Sequence, residues 1–161
     1  MDRELIEQYA NGGDKLSLAI RGLTREDLLC PPDPDWNVGK WSIQQVVLHC
    51  MDSELVSADR LKRMIAEDNP TVIGYDENKY VANLFYEEQS AEQAVTLIDA
   101  NRKLFATVLR KLPEKAWERK GTHNERGPIT VGGYLKSTVD HLEHHITFIH
   151  RKRAKMGKEM W

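Results

Sequence analysis

The chain has 161 residues, within the usual span of roughly 100–200 for one domain. Hydrophobic residues make up 40% and charged residues 30%, a globular balance that argues against general disorder. The formal charge of −2 provides no basic footprint for nucleic acid, and two cysteines, Cys30 and Cys50, make neither a disulfide scaffold nor a four-cysteine zinc site.

The first predicted helix covers residues 4–23, where Leu5, Ile6, Tyr9, Leu16, Ala19, Ile20 and Leu23 recur at the spacing of one buried stripe. Gly12-Gly13 is placed to bend or break it. The loop Cys30-Pro31-Pro32-Asp33-Pro34-Asp35 cannot be helical, because its prolines fix φ and remove amide donors. Ser42 with Gln45 fits a capping box, in which each side chain bonds the other residue's free amide. It opens a second helix over residues 43–67, with Ile43, Val46, Val47, Cys50, Leu61, Met64 and Ile65 as core, and Asn69-Pro70 stops it. From Pro70 to Gln89 the periodicity weakens into a crossover connection, with a short helix expected over residues 75–84. Ser90 with Gln93 is a second capping box. It precedes a third helix over residues 91–112, whose Ala94, Ile98, Asn101, Phe105, Val108 and Leu112 form a bundle seam with one polar member. Gly121 to Pro128 reads as a polar loop. The fourth helix, residues 130–156, buries Leu135, Val139, Leu142, Ile146 and Ile149, and its basic run Arg151-Lys152-Arg153 suits a solvated helix C-terminus.

No segment shows strand alternation flanked by turn signals. The expectation is an all-α fold: one four-helix bundle over residues 1–161, with a long connection between the second and third main helices. No apolar run approaches the roughly 18 residues of a membrane span. Met1-Asp2-Arg3-Glu4 lacks the apolar core of a signal peptide, so a cytoplasmic protein with reduced thiols is expected.

Four of the six histidines fall between His141 and His150. At about 100° per helical residue, His141 and His145 lie about 40° apart on one face, with His144 about 60° to the other side and His150 about 180° away. Two imidazoles at i and i+4 are a standard way to present a metal with two ligands, although Leu142 stands where an HExxH motif has glutamate. An open metal site needs a third protein ligand, for which His49 is the best candidate; Cys50, about 100° away, cannot easily reach the same ion. Asp52, one turn after His49, is placed to orient a ligand or accept a proton, or is a surface carboxylate. His123 reads as a solvated loop residue, with an active-site role as the alternative. Trp41, just before the helix cap, reads as a core anchor, and Cys30 and Cys50 as a loop thiol and a core thiol.

Together these segments resemble the DinB-like superfamily, and within it the YfiT-like metal-dependent hydrolases. Trp41-Ser42-Ile43-Gln44-Gln45-Val46-Val47-Leu48-His49-Cys50-Met51-Asp52-Ser53 is similar to the family's W-[ST]-x-x-Q-V-V-x-H-x-x-D-S segment. Glu67-Asp68-Asn69-Pro70-Thr71 with Tyr75-Asp76-Glu77 is similar to its E-D-x-P-T-x-x-x-Y-D-E connection, and His141-Leu142-Glu143-His144-His145 to its H-x-x-H-H helix. The resemblance implies a four-helix bundle of DinB topology, often a homodimer, with one divalent metal, zinc or nickel, held by His49, His141 and His145. Where the YfiT-like helix carries a further histidine this chain has Phe148, which by spacing lines the pocket beyond the metal and makes it more apolar.

Three functions remain open. A hydrolase would use the ion to activate water against a small-molecule substrate, with Asp52 or His123 moving the proton. A thiol S-transferase would use the same ion to hold a low-molecular-weight thiol cosubstrate, of bacillithiol type, as its thiolate. A non-enzymatic metal-binding bundle is the third.

Overall fold

The computed structural model describes residues 3–160, so Met1 and Asp2 of the charged N-terminal stretch lie outside the described residues. The chain opens with α1 (Arg3–Ala10) and α2 (Gly12–Ile20). The join between them is a single residue: Asn11 donates to the Glu7 carbonyl and accepts from the Lys15 amide, so the ladder runs on through a bend. The two glycines there permit close helix packing. A Cβ on Gly13 would stand 2.5 Å from the Asp99 Cα, and one on Gly12 would meet Arg102 Nη1 at 2.2 Å.

A short α3 (Arg25–Leu29) follows, closed at its start by a Thr24–Asp27 capping box. It was not expected from periodicity, being too short to show any. The expected box at Ser42–Gln45 forms fully and starts α4 (Ile43–Ala66). The connection then carries β1 (Thr71–Val72) and α5 (Glu77–Asn83), before α6 (Ala91–Leu109). At α6 the box is only half made: Ser90 Oγ accepts from the Gln93 amide, but its hydroxyl donates to Glu92.

The polar-loop reading of residues 121–128 is corrected. Strands β2 (Lys120–His123) and β3 (Gly127–Thr130) form a hairpin, and β1 adds to β2 in parallel through Thr71↔Thr122 and Val72↔His123. Strands of two to four residues are too short for alternation to declare itself. The small sheet sits on a helical frame completed by α7 (Val131–Lys155).

Helix α4 packs against α6 and α7, and α1–α2 pack against the same two helices. The expected stripes of α4 and α7 are buried, with only Ile65 half-buried. On α6 the seam departs from expectation: Val108 is 44% exposed and Leu109 takes the buried place. A straight helix drifts about 20° per heptad from a strict 3–4 repeat, so by its last turns the seam has moved one residue along. Asn101 donates to Glu54, whose other oxygen accepts from Arg102 Nε at 2.7 Å in a pair almost wholly buried between α4 and α6.

The basic run at the end of α7 is also corrected, for Lys152 and Arg153 are buried. Arg153 donates to the carbonyls of Ala19 and Arg21, and Lys152 to that of Val38. Their charges therefore serve the carbonyls ending α2 and those of the loop before α4, rather than solvent at their own helix end.

Candidate metal centre

His49 lies in the first part of α4, and His141 and His145 lie one turn apart in the middle of α7. Because α4 and α7 pack together, the three rings meet. Their centroids are 5.1 Å (His49–His141), 4.8 Å (His49–His145) and 4.5 Å (His141–His145) apart. The Nε2 of His141 is 3.2 Å from the Nε2 of each of the other two, and the three ring-nitrogen ligand atoms lie within 4.8 Å of one another. Trp41 is half-buried rather than deep in the core, with its ring centroid 4.9 Å from that of His49.

The donor set fits a divalent ion. Metal–nitrogen bonds of about 2.0–2.1 Å place neighbouring ligand atoms about 3.0–3.4 Å apart, which matches the 3.2 Å contacts. Burial, reinforced by neighbouring histidines and basic groups, holds His49 and His141 down to about 4 and His145 down to about 3. All three are thus neutral at pH 7, the form that presents a lone pair. Ser53 Oγ, 3.5 Å from His141 Nδ1, stands on that ring's far side, as an orienting partner would. Among the described residues, His49 Nδ1 is buried without a hydrogen-bond partner.

The family profile of the DinB superfamily matches residues 8–149. The chain belongs to the DinB superfamily. A protein of Oceanobacillus iheyensis named "putative metal-dependent hydrolase" is 33% identical to this DinB-superfamily chain over 117 residues, covering 73% of this chain and 67% of the relative. A protein of Bacillus mycoides with the same description is 27% identical over 152 residues, covering 94% and 85%. Among solved structures, YfiT from Bacillus subtilis superposes with a TM-score of 0.88 at 25% identity, over 98% of this chain and 90% of that one. YfiT is described as a probable metal-dependent hydrolase with an unusual four-helix bundle topology.

In this DinB-superfamily chain His49 and His141 form a wall of a polar cleft of about 100 Å³. His123 lines it with His49 and His141, and the solvated-loop reading of that residue is corrected, since only 3% of it is exposed. Its place at the end of β2 explains this: His123 Nδ1 accepts from the amides of Glu125 and Arg126 across the hairpin turn. The ring proton of neutral His123 therefore sits on Nε2. Burial, then the nearby Arg60 and Arg126, lowers its affinity for a second proton.

Asp52 is not brought to the cleft. It accepts the hydroxyl of Tyr86, and burial raises its pKa. Cys50 lies in the core, where burial pushes its thiol up to about 12. Cys30, in the loop, is half-buried. Sequence reasoning missed Ser53, Ser57, Arg60, Tyr134 and Thr138, all of which line the cleft. Arg60 is buried and donates to the Tyr134 hydroxyl at 2.8 Å and to the Ile73 carbonyl. A signal was present. At about 100° per residue, Ser53 and Arg60 fall within about 40° of His49, and Tyr134 within about 20° of His141. Two polar stripes therefore face each other across the bundle.

Proposed function

We propose that the chain is a single-domain, metal-dependent hydrolase of small-molecule substrates, with His49, His141 and His145 as the metal ligands. The observation that carries this reading is the convergence of three neutral imidazoles, with no carboxylate partner among the described residues, two of which, His49 and His141, line an open cleft. A divalent ion held by three neutral ligands keeps its full charge, and so supplies Lewis acidity that polarises a substrate oxygen and makes water more acidic.

The chain's own groups complete the site. Ser53 and the packing of α7 orient His141, and Trp41 covers His49. His123 presents an Nε2–H and stays neutral at pH 7, so it acts as a hydrogen-bond donor to an oxygen gaining negative charge, not as the base. Tyr134, fixed by Arg60, offers a hydroxyl in the same cleft. Asp52, held by Tyr86 outside the cleft, does not move the proton. Glu77 and Glu125 are the carboxylates lining the cleft among the described residues, and both are exposed. They take the proton lost by water. Hydrolysis then adds the hydroxyl of water to the electrophilic atom, and that proton is returned to the leaving group.

Elemental analysis of tag-free protein after zinc or nickel reconstitution, beside a His49→Ala/His141→Ala/His145→Ala variant, tests the reading. The expected result is about one equivalent in the parent and none in the variant, with the bundle still folded. An ester, amide and phosphoester panel then reads the activity. Retained metal in the triple variant, or hydrolysis that survives it, would overturn the proposal.

A further inference from the structure

The histidine cluster has a second side. Behind His145 lies a pocket of about 120 Å³ that shares no lining residue with the polar cleft. Its walls are Val38, Trp41, Val46 and Phe148, with His145 on the side of the cluster and Lys40 and His144 at the exposed rim. Lys152 is the one deeply buried cation there, and its ammonium is directed to the Val38 carbonyl. The volume is close to the roughly 150 Å³ at which an apolar cavity holds benzene. On the opposite side the cleft carries Arg60, His123, Tyr134 and Thr138, so the two compartments flanking the histidines differ sharply in polarity.

A molecule that spans the cluster would meet both. We infer that the substrate is amphipathic: an apolar group of about aromatic-ring size occupies the pocket of Trp41, Val46 and Phe148, a hydrogen-bonding end lies in the cleft, and the reacting bond joins them at the histidines. This rests on the reading of those histidines as a metal centre. Phe148 is the specificity-determining residue. Its ring stands 4.8 Å from that of His144 and has the Lys152 and Arg151 cations within 5.4 and 5.6 Å of its centroid, which holds it as a wall between the rim and the buried end.

Two metal-chelating probes with the same hydroxamate head separate pocket from metal. Calorimetric titration of zinc-loaded protein should give benzohydroxamate an affinity about tenfold or more above that of acetohydroxamate, the size of effect a phenyl group gains in an apolar pocket. Phe148→Gln should abolish that preference and leave acetohydroxamate unchanged, whereas Phe148→Leu should retain most of it. Equal affinities in the parent, or a preference that survives Phe148→Gln, would overturn the inference while leaving the metal centre standing. If acetohydroxamate does not bind, the metal reading fails instead. The pocket is then decided on metal-free protein by benzyl alcohol, followed through the Trp41 indole N–H resonance. Saturable binding lost in Phe148→Gln supports an apolar subsite, and an unmoved resonance overturns it.

Discussion

Acidification tests the burial of the histidine cluster. Each imidazole must be neutral to offer its lone pair, so protons compete with the metal. An ordinary histidine, with a pKa of about 6.5, is neutral only about 3% of the time at pH 5, and three such groups are neutral together about 3 × 10⁻⁵ of the time. With His49 and His141 at about 4 and His145 at about 3, the joint neutral fraction at pH 5 is about 0.8. Ligand protonation between pH 7 and pH 5 should therefore weaken zinc binding less than about twofold, against roughly 10⁴-fold for exposed histidines. Affinity should collapse only as pH falls through about 4. Competition against a chromophoric chelator calibrated at pH 7, 6 and 5 reads this directly. A loss of three orders of magnitude by pH 5 would show that the imidazoles titrate as exposed groups and refute the reasoning. The metal-free protein carries the complementary signature. Its unfolded chain takes up protons below about pH 6.5 that the folded cluster refuses until about 4, so stability falls with pH across that window.

The frame that holds the cluster gives two further tests. Glu54 accepts from Arg102, Asn101 and Tyr9 inside the bundle, so Arg102→Met leaves a buried carboxylate without its cation. The expected cost is about 3–5 kcal/mol, or a fall of roughly 10 °C or more in Tm by scanning calorimetry, and an unchanged Tm would contradict the burial of the pair. Gly13→Ala should also destabilise, by about 1–3 kcal/mol, although alanine is the better helix former by about 1 kcal/mol. The new Cβ would lie 2.5 Å from the Asp99 Cα, which is backbone and cannot turn aside, so urea unfolding should shift to lower denaturant.

What the sequence reveals here follows the length scale of each signal. Helices of 19 to 25 residues repeat their apolar pattern several times, and α4, α6 and α7 fall within a few residues of where periodicity places them. Strands of two and four residues repeat nothing, and the pairing of Val72 with His123 joins positions far apart in the chain, so neither the sheet nor the burial of His123 was legible. The histidine triad was legible because two of its members sit on one helix at fixed spacing and a third sits on another strongly patterned helix. Lys152 and Arg153 misled because composition gives a charge without its partner. Only the fold brings the Val38, Ala19 and Arg21 carbonyls to them. The instructive case is α4 between Cys50 and Leu61. Its inward stripe keeps only Ala58 as a fully buried apolar residue there, and that thinning is itself the signal. A helix buried along its length that presents Ser53, Ser57 and Arg60 on the face of His49 must meet polar groups across the bundle, and α7 supplies Tyr134, Thr138 and His141 at the matching spacing. Facing polar stripes inside an otherwise apolar bundle leave a cleft between them, and His49 and His141 line it.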